Sequence, residues 1–378
     1  MYDDRSFMKP KIVLLSAFLS PFRSGAEACV EEIARRMWEQ FDITIVTARL
    51  TKKLPDDDPF RGHVKVVRVG LGYKIDKWLF PFLAPFAVRR IQPQIIHAVL
   101  ESFAALAMVF SKLLVPKAKT ILTCQSTNTS FLLKLMHRQA DCVTVISRIL
   151  LARAKSLGRS DALLIPNGID VPAIERACAD LKKIPRRILF VGRLEPMKGV
   201  DVLLRALARL LSPVAPTPGP SPEGGGGILN YVHLRIVGSG SEEKSLRRLA
   251  ADLKLSDHVT FVGFVPIPHV FEEFAQAQIF CGLSRSEALG NVFLEAQAAG
   301  CAVIATHTGG IPDIVDDGRT GLLVAPDDAE AAAQAMQKLL SPDPRQWQEL
   351  AKAGMVSAKT YDWQGIVGRY EEAYKSLL

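Results

Sequence analysis

Short apolar runs alternate with amphipathic stretches from one end of the chain to the other. In the first half the runs lie at residues 12–17, 43–47, 64–69, 95–98, 120–123, 142–146 and 162–165. Between them, stretches such as 26–40 and 103–114 carry apolar residues at helical spacing. Brief continuous apolar runs predict strands, and the 3.6-residue period between them predicts helices. Strands that alternate with helices form parallel sheets from βαβ units. A second series follows, with strands expected at 187–191, 232–237, 259–262, 279–283 and 302–305. Helices are expected there at 201–211, 242–253, 291–299 and 329–340. The pattern predicts an α/β chain of two Rossmann-like, doubly wound halves joined near 166–180. A cleft between them is the expected ligand site.

Composition adjusts this picture. The 378 residues suffice for two domains of ordinary size. Residues 212–227, rich in Pro, Gly and Ser, break the rhythm and can bury almost nothing, so they read as a surface insertion without a part in the chemistry. The six cysteines are scattered, with no C-x-x-C pair, and read as reduced structural thiols of a cytoplasmic protein. Lys9 and Lys11 before an apolar run imitate a signal peptide. The run is too short and no small-residue cleavage site follows, so a buried first strand is the better reading. No apolar stretch approaches the ~20 residues that span a bilayer.

The net charge of +8 is uneven. Residues 1–170 hold 25 Lys and Arg against 15 Asp and Glu, whereas residues 171–378 hold 22 against 24. A basic first half faces either solvent or an anionic partner. Its cations are dispersed without interleaved aromatics, which argues against nucleic acid. One segment differs: Lys77, Trp78, Phe80, Phe82 and Phe86 are followed by Arg89 and Arg90, as an interfacial segment on an anionic membrane requires. Pro81 and Pro85 argue there against one continuous helix.

The strongest chemical motif is Ser286-Glu287-Ala288-Leu289-Gly290-Asn291-Val292-Phe293-Leu294-Glu295, between a strand and a helix. Gly290 permits close backbone approach, and Asn291 suits an N-cap. The first amides of the helix, from Asn291 and Val292, then offer an anion site. Eight residues separate Glu287 from Glu295, about 12 Å on a continuous helix, too far for the paired carboxylates of a glycosidase. Each glutamate is expected to hold a different part of one long ligand. A second motif, Gly192-Arg193-Leu194-Glu195-Pro196-Met197-Lys198-Gly199, puts two cations at a strand end, where they suit a diphosphate. The turn Val237-Gly238-Ser239-Gly240 fails as a dinucleotide fingerprint, because Glu243 replaces the last glycine, but fits a tight turn along a nucleoside. Ser24-Gly25-Ala26-Glu27 lets a loop amide approach a phosphate.

Together these motifs resemble the retaining glycosyltransferases of family 4, which have the GT-B fold. The resemblance runs from Ser24-Gly25-Ala26-Glu27 through Pro166-Asn167-Gly168 and Gly192-Arg193-Leu194 to Thr308-Gly309-Gly310-Ile311-Pro312. It implies that Arg193 and Lys198 bind the donor diphosphate, that Glu287 touches the donor sugar, that the amides of Asn291 and Val292 add phosphate contacts, and that Glu295 holds the ribose. The donor would be a UDP-sugar or GDP-sugar, the acceptor a glycan or a lipid-linked sugar, with no other cofactor. It also implies that residues 363–378 return to the first domain. The domains are then expected at 1–168 with 361–378, on the acceptor side, and at 169–360, on the donor side.

One position departs from the family. Members often carry a histidine in a Thr-x-His segment, where this chain has Thr123-Cys124-Gln125. Glutamine can hydrogen-bond but cannot shuttle a proton. Gln125 and His97, at a strand end, are placed on the acceptor side, although His97 reads somewhat more readily as a satisfied structural histidine. Asp56-Asp57-Asp58 matches a metal–nucleotide motif of a different transferase fold, yet its polar loop reads as solvated, and activity is expected without metal. Two other readings stay open: a GT-B nucleotide-sugar epimerase, and a sugar-nucleotide binding protein without turnover.

Overall fold

A computed structural model describes residues 9–20, 22, 25–53, 60–127, 129–212 and 232–378. Asp56–58 and residues 213–227 of the expected insertion lie outside the described residues. The chain divides into two compact units, Met1–Gly168 with Trp363–Leu378, and Ile169–Asp362. Tyr361 and Asp362 stay with the second unit. The Ile169 amide donates to the Tyr361 carbonyl at 2.9 Å, and the Val171 amide to the Asp362 carboxylate at 3.3 Å.

Unit 1 contains β1 (Lys11–Leu15), α1 (Gly25–Met37), β2 (Asp42–Ala48), β3 (Lys65–Val69), α2 (Asp76–Ile91), β4 (Ile95–Val99), α3 (Phe103–Leu114), β5 (Lys119–Cys124), α4 (Leu133–Gln139), β6 (Cys142–Val145), α5 (Arg148–Ser156) and β7 (Leu163–Leu164). All strands are parallel, in the order β3-β2-β1-β4-β5-β6-β7. The run after Lys11 is the buried strand expected of it, with Ile12 to Leu15 fully covered. Continuous apolar strands of this kind need helices on both faces.

α2 corrects an expectation. It runs unbroken through Pro81 and Pro85, both buried. Each proline removes one helical donor, but packing of the helix on α3 and on β2 holds the backbone in line. Asp76 fixes its start. Burial opposes the charge on Asp76, but the amides of Leu71, Gly72 and Tyr73 outweigh it and hold the carboxyl below its ordinary range.

Unit 2 contains α6 (Val171–Cys178), β8 (Ile184–Val191), α7 (Val200–Leu211), β9 (His233–Val237), α8 (Glu243–Asp252), β10 (Val259–Gly263), α9 (His269–Gln276), β11 (Ala277–Gly282), α10 (Asn291–Ala298), β12 (Ala302–Thr306), β13 (Leu322–Val324), α11 (Ala329–Leu339) and α12 (Arg345–Lys359). Its parallel sheet has the order β10-β9-β8-β11-β12-β13. The strip β13 was missed because three residues are too few to give a periodic signal. The strand order reverses between β8 and β11, as it does between β1 and β4 in unit 1. Such switch points open a crevice at the strands' carboxyl ends.

α13 (Trp363–Lys375) belongs to unit 1. Tyr370 and Tyr374 are fully buried, and Tyr374 meets Phe41 edge-on at 5.6 Å. The six cysteines are free thiols.

Candidate functional site

Four loops converge on the carboxyl ends of β8, β9, β11 and β12 in unit 2. The loop after β8 meets the turn after β9 through two backbone bonds. The Leu194 amide donates to the Ser239 carbonyl, and the Glu242 amide to the Leu194 carbonyl, both at 2.9 Å. The Arg285 amide ties the loop after β11 to the Met197 carbonyl at 2.8 Å, and the Gly310 amide ties the loop after β12 to the Glu287 carbonyl at 3.0 Å.

These approaches need glycine. A Cβ at Gly238, where φ is +137°, would stand 1.8 Å from the Gly192 carbonyl oxygen. One at Gly309, where φ is +57°, would stand 1.9 Å from the Glu287 carbonyl oxygen. No side chain fits either place, so the sequence's glycines are what let the four loops close on one another.

The Lys198 ammonium lies 2.5 Å from the Glu287 carboxylate, with both side chains mostly covered. The Ser284 hydroxyl donates to the same carboxylate oxygen at 3.4 Å. Lys198 and Glu287 are 89 residues apart in sequence, and the fold brings them together. Arg193 is exposed, its guanidinium 4.0 Å from the Met197 sulfur. Gly192, Arg193, Gly238 and Ser239, with Val191, Val237, Phe264 and Val265, line a cavity of about 220 Å³.

Gly290, not Asn291, caps α10. It takes the left-handed conformation at φ +97°, and Asn291 becomes the first helical residue. The Phe293 amide closes the turn on the Gly290 carbonyl at 3.0 Å. The amides of Asn291 and Val292 then stand ahead of the first intrahelical bond, where helix dipoles favour anions. Glu287 precedes the helix and Glu295 lies within it, so one continuous helix does not set their separation.

Sequence reasoning missed Arg285. Its guanidinium forms a two-pronged pair with Asp201 at 3.0 and 2.8 Å, bonds Asp327 at 2.7 Å and donates to the Pro196 carbonyl. The Asp201 hydrogen bond raises its pKa further. This fork anchors the Lys198 loop to α7. An isolated arginine in the sequence carries no signal of that.

Unit 1 uses its strand ends differently. His97 is fully buried, its ring nitrogens 2.7 Å from the Tyr374 hydroxyl and 2.6 Å from the Thr123 hydroxyl. Burial pushes its pKa down to about 3, so it is neutral. It joins β4 and β5 to α13, as the structural reading of this histidine expects. Gln125 is also buried, and its side-chain oxygen accepts from Asn167 at 3.0 Å. The Gln125 amide donates to Glu101 at 2.8 Å, and Arg153 closes on the same carboxylate. Among the described residues, Glu101, Cys124 and His137 lie close enough together to ligate a metal ion. Arg153 already supplies positive charge to Glu101 there. Gly25 opens α1, while Arg23 and Ser24 lie outside the described residues.

Two family models cover nearly the whole chain. Residues 23–172 match the model described as Glycosyltransferase Family 4, and residues 174–354 match Glycosyl transferases group 1. The chain belongs to glycosyltransferase family 4, with the GT-B fold. It is similar to a D-inositol 3-phosphate glycosyltransferase of Acidothermus cellulolyticus, 38% identical over 49% of this chain and 41% of that one. It is also similar to a GDP-mannose-dependent alpha-(1-6)-phosphatidylinositol monomannoside mannosyltransferase of Mycolicibacterium smegmatis, 33% identical over 59% and 58%. The chain thus spans about half the length of the curated relatives it matches. Among solved structures, Anabaena HepE in complex with UDP and glucose superposes with a TM-score of 0.74 at 20% identity, covering 97% of this chain and 100% of that one. In this GT-B chain the Gly-Arg and Glu-x7-Glu segments therefore sit on the second of two doubly wound sheets.

Proposed function

We propose that this chain transfers a sugar, with retention of configuration, from a UDP-sugar or GDP-sugar to a glycan or lipid-linked acceptor. The Lys198–Glu287 pair at the β8/β11 switch point carries this reading. The donor diphosphate lies against Arg193, Lys198 and the amides of Asn291 and Val292, and Glu295 holds the ribose. The base enters the cavity beside Gly192 and Gly238, against the ring of Phe264. Glu287, bound by Lys198, faces the donor sugar.

As the bond from the anomeric carbon to the diphosphate oxygen breaks, the electron pair leaves with the diphosphate. Cations and helix amides stabilise that charge. The acceptor hydroxyl attacks from the same face, and its proton passes to the departing phosphate oxygen, since Gln125 cannot accept it. No step requires a metal ion. A donor named with GDP-mannose in one relative and UDP bound in a similar structure support the nucleotide-sugar class. We place the protein in the cytoplasm, at the inner face of the membrane. No helix among the described residues is long and apolar enough to cross one.

Gln125 favours a second reading, a sugar-nucleotide binding protein without turnover. Incubation with UDP- and GDP-sugars, followed by NMR of the anomeric proton, separates the two. Transfer or hydrolysis with retained configuration is the expected result. Binding without any turnover selects the second reading.

A further inference from the structure

α2 has two apolar faces. Phe80, Pro81, Ala84, Pro85 and Val88 are buried against the body of unit 1. Trp78, Phe82 and Phe86, spaced four residues apart, form a second line on the outside and are 61%, 58% and 58% exposed. Trp78 meets Phe103 edge-on at 4.9 Å, and Phe82 lies 5.5 Å from Phe110, so both rings are steadied from one side. Leu71, Tyr73 and Ile75, in the turn that Asp76 organises, extend the exposed apolar line. A helix apolar all round belongs in an interior, and a contiguous aromatic patch left outside marks a docking surface.

The charge around this line is one-sided. Between residues 60 and 100 the only acid is Asp76, which is buried and turned to loop amides. The same stretch carries Lys74 and Lys77 at the start of the helix and Arg89 and Arg90 at its end, and both arginines are exposed. Lys52 sits 4.7 Å over the Tyr73 ring and Lys77 5.8 Å over the Trp78 ring. Rings that sit at a headgroup boundary, bracketed by cations with no exposed acid between residues 60 and 100, complement an anionic bilayer surface. A protein partner's face would need acids matched to these particular cations. A lipid surface supplies anionic charge wherever the helix lands.

We propose that the outer face of α2, with the turn at Leu71, Tyr73 and Ile75, docks this protein on an anionic phospholipid membrane, inserting Trp78, Phe82 and Phe86 to headgroup depth. The proposal rests on the lipid-linked acceptor of the proposed reaction, and it brings the active protein to the surface where that acceptor resides. Contact is peripheral and reversible, since the inserted line is only about 12 Å long.

Co-sedimentation of the full chain with phosphatidylcholine vesicles, with and without phosphatidylglycerol, tests it at low and physiological salt. Binding to the anionic vesicles, weakening with salt, is expected. Replacing Trp78→Ser, Phe82→Ser and Phe86→Ser together, or Arg89→Glu with Arg90→Glu, should each lower the partition coefficient at least roughly tenfold. The arginine variant changes two exposed side chains and keeps the test open if the triple variant fails to fold. Protein left in the supernatant of anionic vesicles overturns the proposal, as does equal binding to neutral ones. Size-exclusion showing a dimer that the triple variant dissolves would assign the face to a second copy instead, and also overturns it. A thermal shift with UDP and GDP on the same preparations separates the two readings. Nucleotide binding without vesicle binding sinks the docking surface alone, and the reverse sinks the transferase.

Discussion

Both units are parallel sheets with a switch point, yet their strand ends do different things. In unit 2 the ends of β8, β9, β11 and β12 carry loops held to one another by backbone bonds, with glycines where they touch and a cavity left beside Arg193. In unit 1 the ends of β4 and β5 are filled by side chains: His97 with Tyr374, Glu101 with Arg153, Gln125 with Asn167. Backbone-built loops leave amides, cations and space for a ligand. Side-chain networks use their polar groups on one another and give rigidity instead. The lesson is that polar residues at a strand end indicate a ligand site only where the surrounding loops leave them partners to find.

The largest expected effect separates the units by pH. His97 and His137 are held neutral in unit 1, at about 3 and about 4 against 6.5 in a free chain, by burial and, for His137, also by the charges of Arg153 and Arg159. The unfolded chain therefore binds protons that the fold does not. Stability is full above pH 6.5 and is lost as the pH falls toward those values, at about 1.4 kcal/mol per pH unit for each histidine. In unit 2 His233 shifts this way, and it is half-buried. Hydrogen exchange between pH 7 and pH 5 should show unit 1 losing protection first. Equal loss in both units would break the contrast.

The donor site gives the next effect. Replacing Lys198→Ala or Arg193→Ala should lower turnover at least roughly tenfold, and Lys198→Ala should also lower the melting temperature because it leaves Glu287 unpaired. Near-normal activity in both variants would remove the cations from the reaction. Arg285→Lys keeps the charge but loses the planar fork on Asp201, and should cost about threefold in kcat/KM for the donor through a looser Lys198 loop. Rescue of that loss by saturating donor would confirm a positioning role, and an unchanged rate would show the fork to be idle.

Much of this was legible in the sequence, for physical reasons. Fully buried parallel strands such as β1 and β11 must be continuous apolar runs, and they were visible. The Gly238 turn was visible because its φ and its closeness to the Gly192 carbonyl admit only glycine. What escaped depended on distant partners. His97 already read more readily as a structural histidine, but its partner Tyr374, 277 residues away, was not visible. Arg285 gains its role from Asp201 and Asp327. Gly290 took the capping place given to Asn291 because its left-handed φ was not readable from side-chain preference alone. The prolines of α2 were read locally, whereas packing on α3 settles the helix.

A smaller expectation is an absence of effect. In the proposed reaction cations and amides neutralise the leaving diphosphate, so chelator should leave turnover within about twofold. Full and reversible loss would move the chemistry to a metal ion and make Glu101, Cys124 and His137 the first residues to replace.

The central claim is that unit 2 binds a nucleoside diphosphate through the Lys198 and Arg193 loop. Isothermal titration of UDP and GDP into the full chain and into a Lys198→Ala, Arg193→Ala double variant tests it directly. One of the two nucleotides should bind at a single site, and the double variant should weaken that binding at least roughly tenfold. Binding of equal strength in both proteins, or none in either, would contradict it.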